Sequence, residues 1–287
     1  MSVVSKVIKY PDERVVQRMR TFLKSDVTNI LLMDDPALIK TCYVKAKALP
    51  SSETTAAMEL NGISITEHCA SNDKAVVLYG FKDGSPVALK KLDDEEIEKL
   101  RALAAENIKH SSIIPFEFVE RQFICMPQVV TTLVHLNPLN RASQILFWSS
   151  ISSAVDYLHR KGFAHMDIKP ENVGVMQCNH ILLDLGSAAK FGEWTPVTEE
   201  FVPVELTVKR GWMCAASAVD WWTIASTFCF KLDPELHGRK NRLKQTDIMR
   251  MLADKLASVV WMEFQHMLDP DYSIPAVPFV SRSASVP

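Results

Sequence analysis

The stretch His165-Met166-Asp167-Ile168-Lys169-Pro170-Glu171-Asn172 gathers an acid, a cation and an amide within eight residues. That set suits phosphoryl transfer. Asp167 can accept a hydroxyl proton, Lys169 can neutralise a phosphate, and Asn172 offers an amide oxygen to a hard divalent cation, which prefers oxygen ligands. Twelve residues beyond Asn172 stands Asp184-Leu185-Gly186, after the apolar run Ile181, Leu182, Leu183, which reads as a short buried strand. Asp184 at its end would supply a second metal-binding group. An isolated aspartate and asparagine are ordinary loop residues, so the elements that hold them decide what they are worth.

The chain has 287 residues, enough for one large domain or two modest ones. With 32 basic against 34 acidic residues, it carries no overall basic field directed at nucleic acid or a membrane surface. No apolar run approaches the ~20 residues that span a bilayer, and residues 1–11 lack the apolar block of a secretion signal. The longest apolar stretch, 215–230, is broken by Asp220 and reads as a buried helix. Cys42, Cys69, Cys125, Cys178, Cys214 and Cys229 are widely spaced, with no Cys-x-x-Cys pair, which predicts a reduced, intracellular protein, cytoplasmic or nuclear.

Residues 1–55 read as a helical extension ending in a polar linker, with Asp35 as a cap and Pro36 in the first turn of its second helix. From about residue 60 the period shifts to that of strands. Ile63 and Ile65 alternate with polar residues, and apolar runs at 75–79 and 87–92 flank Lys82-Asp83-Gly84-Ser85, a strong hairpin signal. A helix over 93–107 follows, with Ile97, Leu100 and Leu103 on one side, then strands over 113–119 and 122–126. Beyond Pro127 the pattern is mostly helical, at 143–160, 215–230, 247–257 and 259–268, before a Pro- and Ser-rich tail. Lys161-Gly162 closes the first of these helices. The class predicted is α+β.

In this order the motifs resemble those of a eukaryotic-type protein kinase, over about residues 60–271. Val87-Ala88-Leu89-Lys90 is similar to the third-strand motif, the stretch from Asp167 to Asn172 to the catalytic loop, and Asp184-Leu185-Gly186 to the D-F-G. Thr198-Glu199-Glu200-Phe201-Val202-Pro203-Val204-Glu205 resembles the end of an activation segment, and Asp220-Trp221-Trp222 the start of the central helix of the large lobe. The resemblance implies a bilobal fold: an N-lobe at about 56–126, a hinge at 127–129, a C-lobe at 130–271, and a flexible tail over 272–287. It also implies ATP and Mg2+ as cofactors and a protein bearing serine or threonine as substrate. Lys90 would contact the α- and β-phosphates, Asp167 orient the acceptor hydroxyl, Lys169 stabilise the migrating group, and Asn172 and Asp184 hold magnesium. Met126 would be the gatekeeper, with Gln128 and Val129 in the hinge facing the adenine. His165, Gly186, Thr198, Glu205 and Asp220 would be structural motif residues. Lys169 with Thr198 follows the serine/threonine pattern.

Four departures carry consequences. The segment 66–74, where a phosphate-covering loop is expected, contains no glycine, although backbone amides approach phosphates most easily where side chains are absent. Counting back from His110 puts the glutamate that should pair with Lys90 near Arg101, so Glu98, one turn earlier, is the partner expected. Met166 replaces the arginine that usually pairs with an activation-segment phosphate, which predicts no dependence on phosphorylation at Thr195 or Thr198. Pro203-Val204-Glu205 and Ala225 replace A-P-E and a glycine as structural variants. The leading reading is an active serine/threonine kinase. The rival, a weak or inactive pseudokinase binding nucleotide or protein, rests on the missing glycines and on the displaced glutamate, Glu98, whereas Lys90, Asp167, Asn172 and Asp184 argue for catalysis.

Overall fold

A computed structural model of the chain describes residues 58–60, 63–72, 75–120, 123–136, 138–176, 179–236 and 242–268. The extension expected over 1–55 and the tail expected over 272–287 lie outside them.

The strand-period segment forms one antiparallel sheet of six strands: β1 (Met58–Leu60), β2 (Ile63–Asn72), β3 (Ala75–Lys82), β4 (Ser85–Lys91), β5 (Glu117–Glu120) and β6 (Phe123–Pro127), in the order β1-β2-β3-β4-β6-β5. Asp83 and Gly84 take φ of 49° and 74°, and Lys82 pairs with Ser85, so this dipeptide makes the tight turn of its hairpin. Positive φ at both positions matches the twist of the flanking strands. The segment expected to be a phosphate loop continues β2 through Asn72, which pairs with Ala75. Only the end of the strand expected over 113–119 joins this sheet. Ile113 instead bridges Leu182 in parallel, the Leu182 amide donates to the Ser112 carbonyl and the Ile114 amide to that of Leu182, which ties the two lobes together.

Helix α1 (Asp94–Ala105) starts at a capping box: the Asp93 carboxylate accepts from the Glu96 amide, and the Glu96 carboxylate accepts from the Asp93 amide. Ile97, Leu100 and Leu103 are buried, as their spacing predicts.

The second lobe is built on α2 (Arg141–Arg160), α3 (Ser217–Leu232), α4 (Gln245–Lys255) and α5 (Ser258–Met267). Phe147 of α2 meets Phe228 of α3 edge to face at 4.6 Å, and Trp148 packs on Phe264 of α5 at 4.6 Å. Fully burying such a side chain stabilises by about 1.5–3 kcal/mol, so this aromatic seam fixes α3 under the loop that follows α2. That loop leaves α2 through Gly162, at φ 81°. Short strands frame it: β7 (Thr131–Thr132), β9 (Val173–Met176) and β10 (Asn179–Leu182) form one ladder, and β8 (Phe163–Ala164) pairs with β11 (Ala189–Lys190). β12 (Trp194–Pro196) pairs with β13 (Trp212–Cys214). This bilobal arrangement, a small antiparallel sheet carrying one helix over a helical lobe, is the one predicted. Among the described residues, no helix is long and apolar enough to cross a membrane.

Candidate active site

The loop after β8 is held from below by one buried carboxylate. Asp220, in the first turn of α3, accepts from the His165 amide at 2.8 Å, the Met166 amide at 2.7 Å and the His159 ring at 2.9 Å. Three donors satisfy a charge that would otherwise be costly to bury. Met166 takes φ 69°, unusual for a side chain with a β-carbon, and the Asp220 bond to its amide holds it there. Its side chain is fully buried, packed in a cluster with Ala164, Ala189, Val202, Met213, Ala215 and Val219. An apolar plug thus occupies the place where the resemblance expects an arginine. The His165 ring bonds the Leu183 carbonyl at 2.9 Å.

Above this base the polar groups converge. Lys169 Nζ lies 2.8 Å from Asp167 Oδ2 and donates to Thr198 Oγ1 at 2.7 Å, while the Thr198 hydroxyl donates to Asp167 Oδ1 at 2.6 Å. Asn172 donates its side-chain amide to both the carbonyl and the Oδ2 of Asp167, each at 2.8 Å. These bonds hold both oxygens of the Asp167 carboxylate in place.

Lys90 sits in a second cluster. Its Nζ lies 2.6 Å from Asp184 Oδ1 and 2.8 Å from Glu96 Oε1. Burial acts to lower the Lys90 pKa, but the carboxylates of Asp184 and Glu96 outweigh it, so Lys90 stays charged with its pKa raised. Burial likewise acts to raise that of Asp184, and the adjacent Lys90 ammonium prevails and lowers it. Asp184 adopts the left-handed conformation, φ 48°, and accepts from the Gly186 amide. A β-carbon at Gly186 would stand 2.6 Å from Glu96 Oε1, so the Glu96 carboxylate would have to shift from its place beside Lys90.

The partner of Lys90 is therefore Glu96, and the expectation of Glu98 is corrected. Glu98 is exposed. The helix starts only after Asp93, so Glu96 lies in its first turn beside the end of β4, and Glu98, two residues on, is rotated about 200° away. Arg101 lies over the Phe118 ring, away from Lys90. The Asp93-x-x-Glu96 capping signature was the sequence signal for the right residue.

A cavity of about 320 Å³ opens between the lobes, within the size range of small-molecule sites. Val77, Ala88, Met126, Val129 and Leu183 give it apolar walls, and Lys90, Asn172 and Asp184 converge at one side. Gln128, expected to face the adenine, is not among its lining residues, and its amide donates to the Pro86 carbonyl. Gly174 lets Val129 and Leu183 close in, since a β-carbon there would lie 2.9 Å and 3.1 Å from them. Among the described residues, no three His, Cys, Asp or Glu side chains cluster as a metal site. One carboxylate and one amide oxygen match instead the sparse protein ligation of magnesium, whose remaining positions are filled by phosphate and water oxygens. Asn172, which bonds Asp167, also lines this cavity.

The end of the segment after Thr198 is anchored by Glu205 and by Arg242, a residue the sequence did not single out. Arg242 donates to the Val202 carbonyl at 2.8 Å, to that of Leu206 at 2.6 Å and to that of Pro203. Glu205 accepts from the Gln245 amide and so caps α4. Lys99, on α1, reaches Thr195.

Comparison with known families places a protein kinase domain over residues 74–281. Among curated proteins, the chain is similar to "Probable serine/threonine-protein kinase gdt2" of Dictyostelium discoideum, with 29% identity over 175 residues, 56% of this chain and 10% of that protein. It is also similar to serine/threonine-protein kinase AtPK1/AtPK6 of Arabidopsis thaliana, with 32% identity over 119 residues, 39% of this chain and 24% of that protein. A third relative is the mouse cAMP-dependent protein kinase catalytic subunit PRKX, 29% identical over 113 residues, 38% of this chain and 31% of that protein. The matched region thus spans less than a third of each of these relatives.

Proposed function

The chain belongs to the protein kinase family, and from that premise we propose that it transfers the γ-phosphoryl group of ATP to serine and threonine hydroxyls of protein substrates. The observation that carries this reading is the junction at Asn172: one side chain fixes Asp167 and also lines the cavity that holds Lys90 and Asp184. The acceptor and nucleotide groups thereby share one site. The relatives named as serine/threonine kinases agree with the Lys169–Thr198 pair.

In this reading the adenine lies between Ala88, Met126 and Val129, and Lys90 meets the α- and β-phosphates. Asp184 and Asn172 would hold magnesium, which would neutralise phosphate charge. Asp167 orients the acceptor hydroxyl and takes its proton. Lys169 faces the migrating group, and the low-dielectric walls strengthen these charges. Glu96 keeps Lys90 placed. The free thiols of Cys125, Cys214 and Cys229 support a reduced, intracellular setting.

The test is transfer of label from ATP with magnesium to a general acceptor such as myelin basic protein, beside an Asp184→Asn control. Transfer lost in the control is the expected result. No transfer by the wild type, with thermal stabilisation by ATP retained, would instead make the chain a nucleotide-binding pseudokinase.

A further inference from the structure

Helix α1 meets the segment from Asp184 to Thr195 through two side chains on one face. Glu96 reaches Lys90 and lies against Gly186. Three residues on, and therefore on the same side of the helix, Lys99 reaches the activation segment. Its Nζ lies 3.0 Å from Thr195 Oγ1, 2.6 Å from Glu95 Oε1 and 5.9 Å from the centre of the Trp212 ring. The Lys99 side chain is only 16% exposed, so this is no solvated i,i+4 pair of the ordinary kind.

Thr195 is fully buried. Its hydroxyl donates to the Ser187 carbonyl at 2.7 Å, which leaves oxygen lone pairs for the Lys99 ammonium. Ser187 directly follows Gly186, so the chain of bonds runs from α1 through Thr195 to the base of the Asp184 turn. On its other flank, Thr195 pairs along the backbone with Met213, which packs in the Met166 cluster. The segment is thus clamped between a cation on α1 and an apolar plug under the catalytic loop. Neither anchor contains a phosphate.

We infer that Lys99 is a positioning residue that orders the activation segment through Thr195, in place of a phosphorylated side chain. The inference rests on the kinase reading for its activity readout. It makes Thr195 a structural acceptor, never a modification site, since its hydroxyl is buried and doubly engaged. Phosphate or glutamate at 195 would bring bulk and charge into a closed space.

The experiment uses the full chain with Lys99→Met, Thr195→Val, the double variant and Lys99→Arg. Lys99→Met should lower kcat about tenfold, the effect of one charge-assisted hydrogen bond, while KM for ATP stays within about twofold because Lys90 keeps its partners. Thr195→Val should do the same, the double variant should be no worse than either single one, and Lys99→Arg should restore most of the rate. Hydrogen exchange over 187–201 should rise in Lys99→Met while α2 and α3 stay protected. Unchanged kcat in Lys99→Met, losses that multiply in the double variant, or exchange that rises across the whole domain would each overturn the inference. If the wild type transfers no phosphate, the kinase reading has failed separately, and the exchange pattern alone still decides for or against the clamp.

Discussion

Asp167, Lys169 and Asn172 lie within six residues of chain and are fixed by one carboxylate beneath them, whereas Lys90 and Asp184 are 94 positions apart and meet only across the lobes. The acceptor half is a local loop on a rigid base; the nucleotide half is assembled from a strand, a helix tip and a turn. The difference lies in what each half tolerates. The loop keeps its geometry as long as Asp220 remains buried under it. The nucleotide half depends on where α1 starts, because one turn of helix decides which glutamate reaches Lys90.

Asp167→Asn should separate the halves most sharply. It removes the proton acceptor but keeps the hydrogen bonds of an amide, so kcat should fall about a thousandfold while ATP still raises Tm as in the wild type. Loss of ATP stabilisation as well would mean that the halves are not independent. Next in size, Asp220→Ala strips three buried donors of their acceptor and should destabilise the C-lobe by about 3 kcal/mol, read by urea unfolding. A change under about 1 kcal/mol would show that the base is not what holds the loop.

Glu96→Gln should lower kcat/KM for ATP about thirtyfold, the partial loss of a half-buried pair that still has Asp184, and Glu98→Gln should stay within about twofold. The reverse pattern would restore the partner expected from the sequence. The smallest effect is predicted at Thr198. Thr198→Ala should cost about tenfold in kcat, by freeing Asp167 and Lys169 from their shared hydroxyl, and Thr198→Glu should not recover it. Recovery by glutamate would instead mean that phosphorylation sets the acceptor half.

Much of this was legible in the residues. The Asp83-Gly84 turn, the apolar face of α1 and the periodicity of α2 each depend on neighbours a few residues away, which the sequence displays directly. So does the cluster at Asp167, whose members are near in the chain. Gln128 and Glu98 were misplaced for one common reason. A backbone in extended or helical conformation turns alternate residues to opposite sides, and an error of one or two positions in register moves a side chain from the cavity to solvent. The strand expected over 113–119 failed differently, because the Leu182 backbone in the other lobe competes for its hydrogen bonds. Arg242 carried no signal at all, since its partners are carbonyls about forty residues away.

By itself, then, the sequence determined the α+β class, the polar groups of the acceptor loop and the absence of an arginine at Met166. Those follow from residue type and local period. Only the tertiary structure decided that Glu96 holds Lys90, that Asn172 lines the cavity of Lys90 and Asp184, and that Met166 and Lys99 grip the activation segment from opposite sides. Lys90 and Glu96 are only six residues apart, yet where α1 starts decides whether they meet; the other contacts join elements distant in the chain, and their geometry is set by how helices and strands pack.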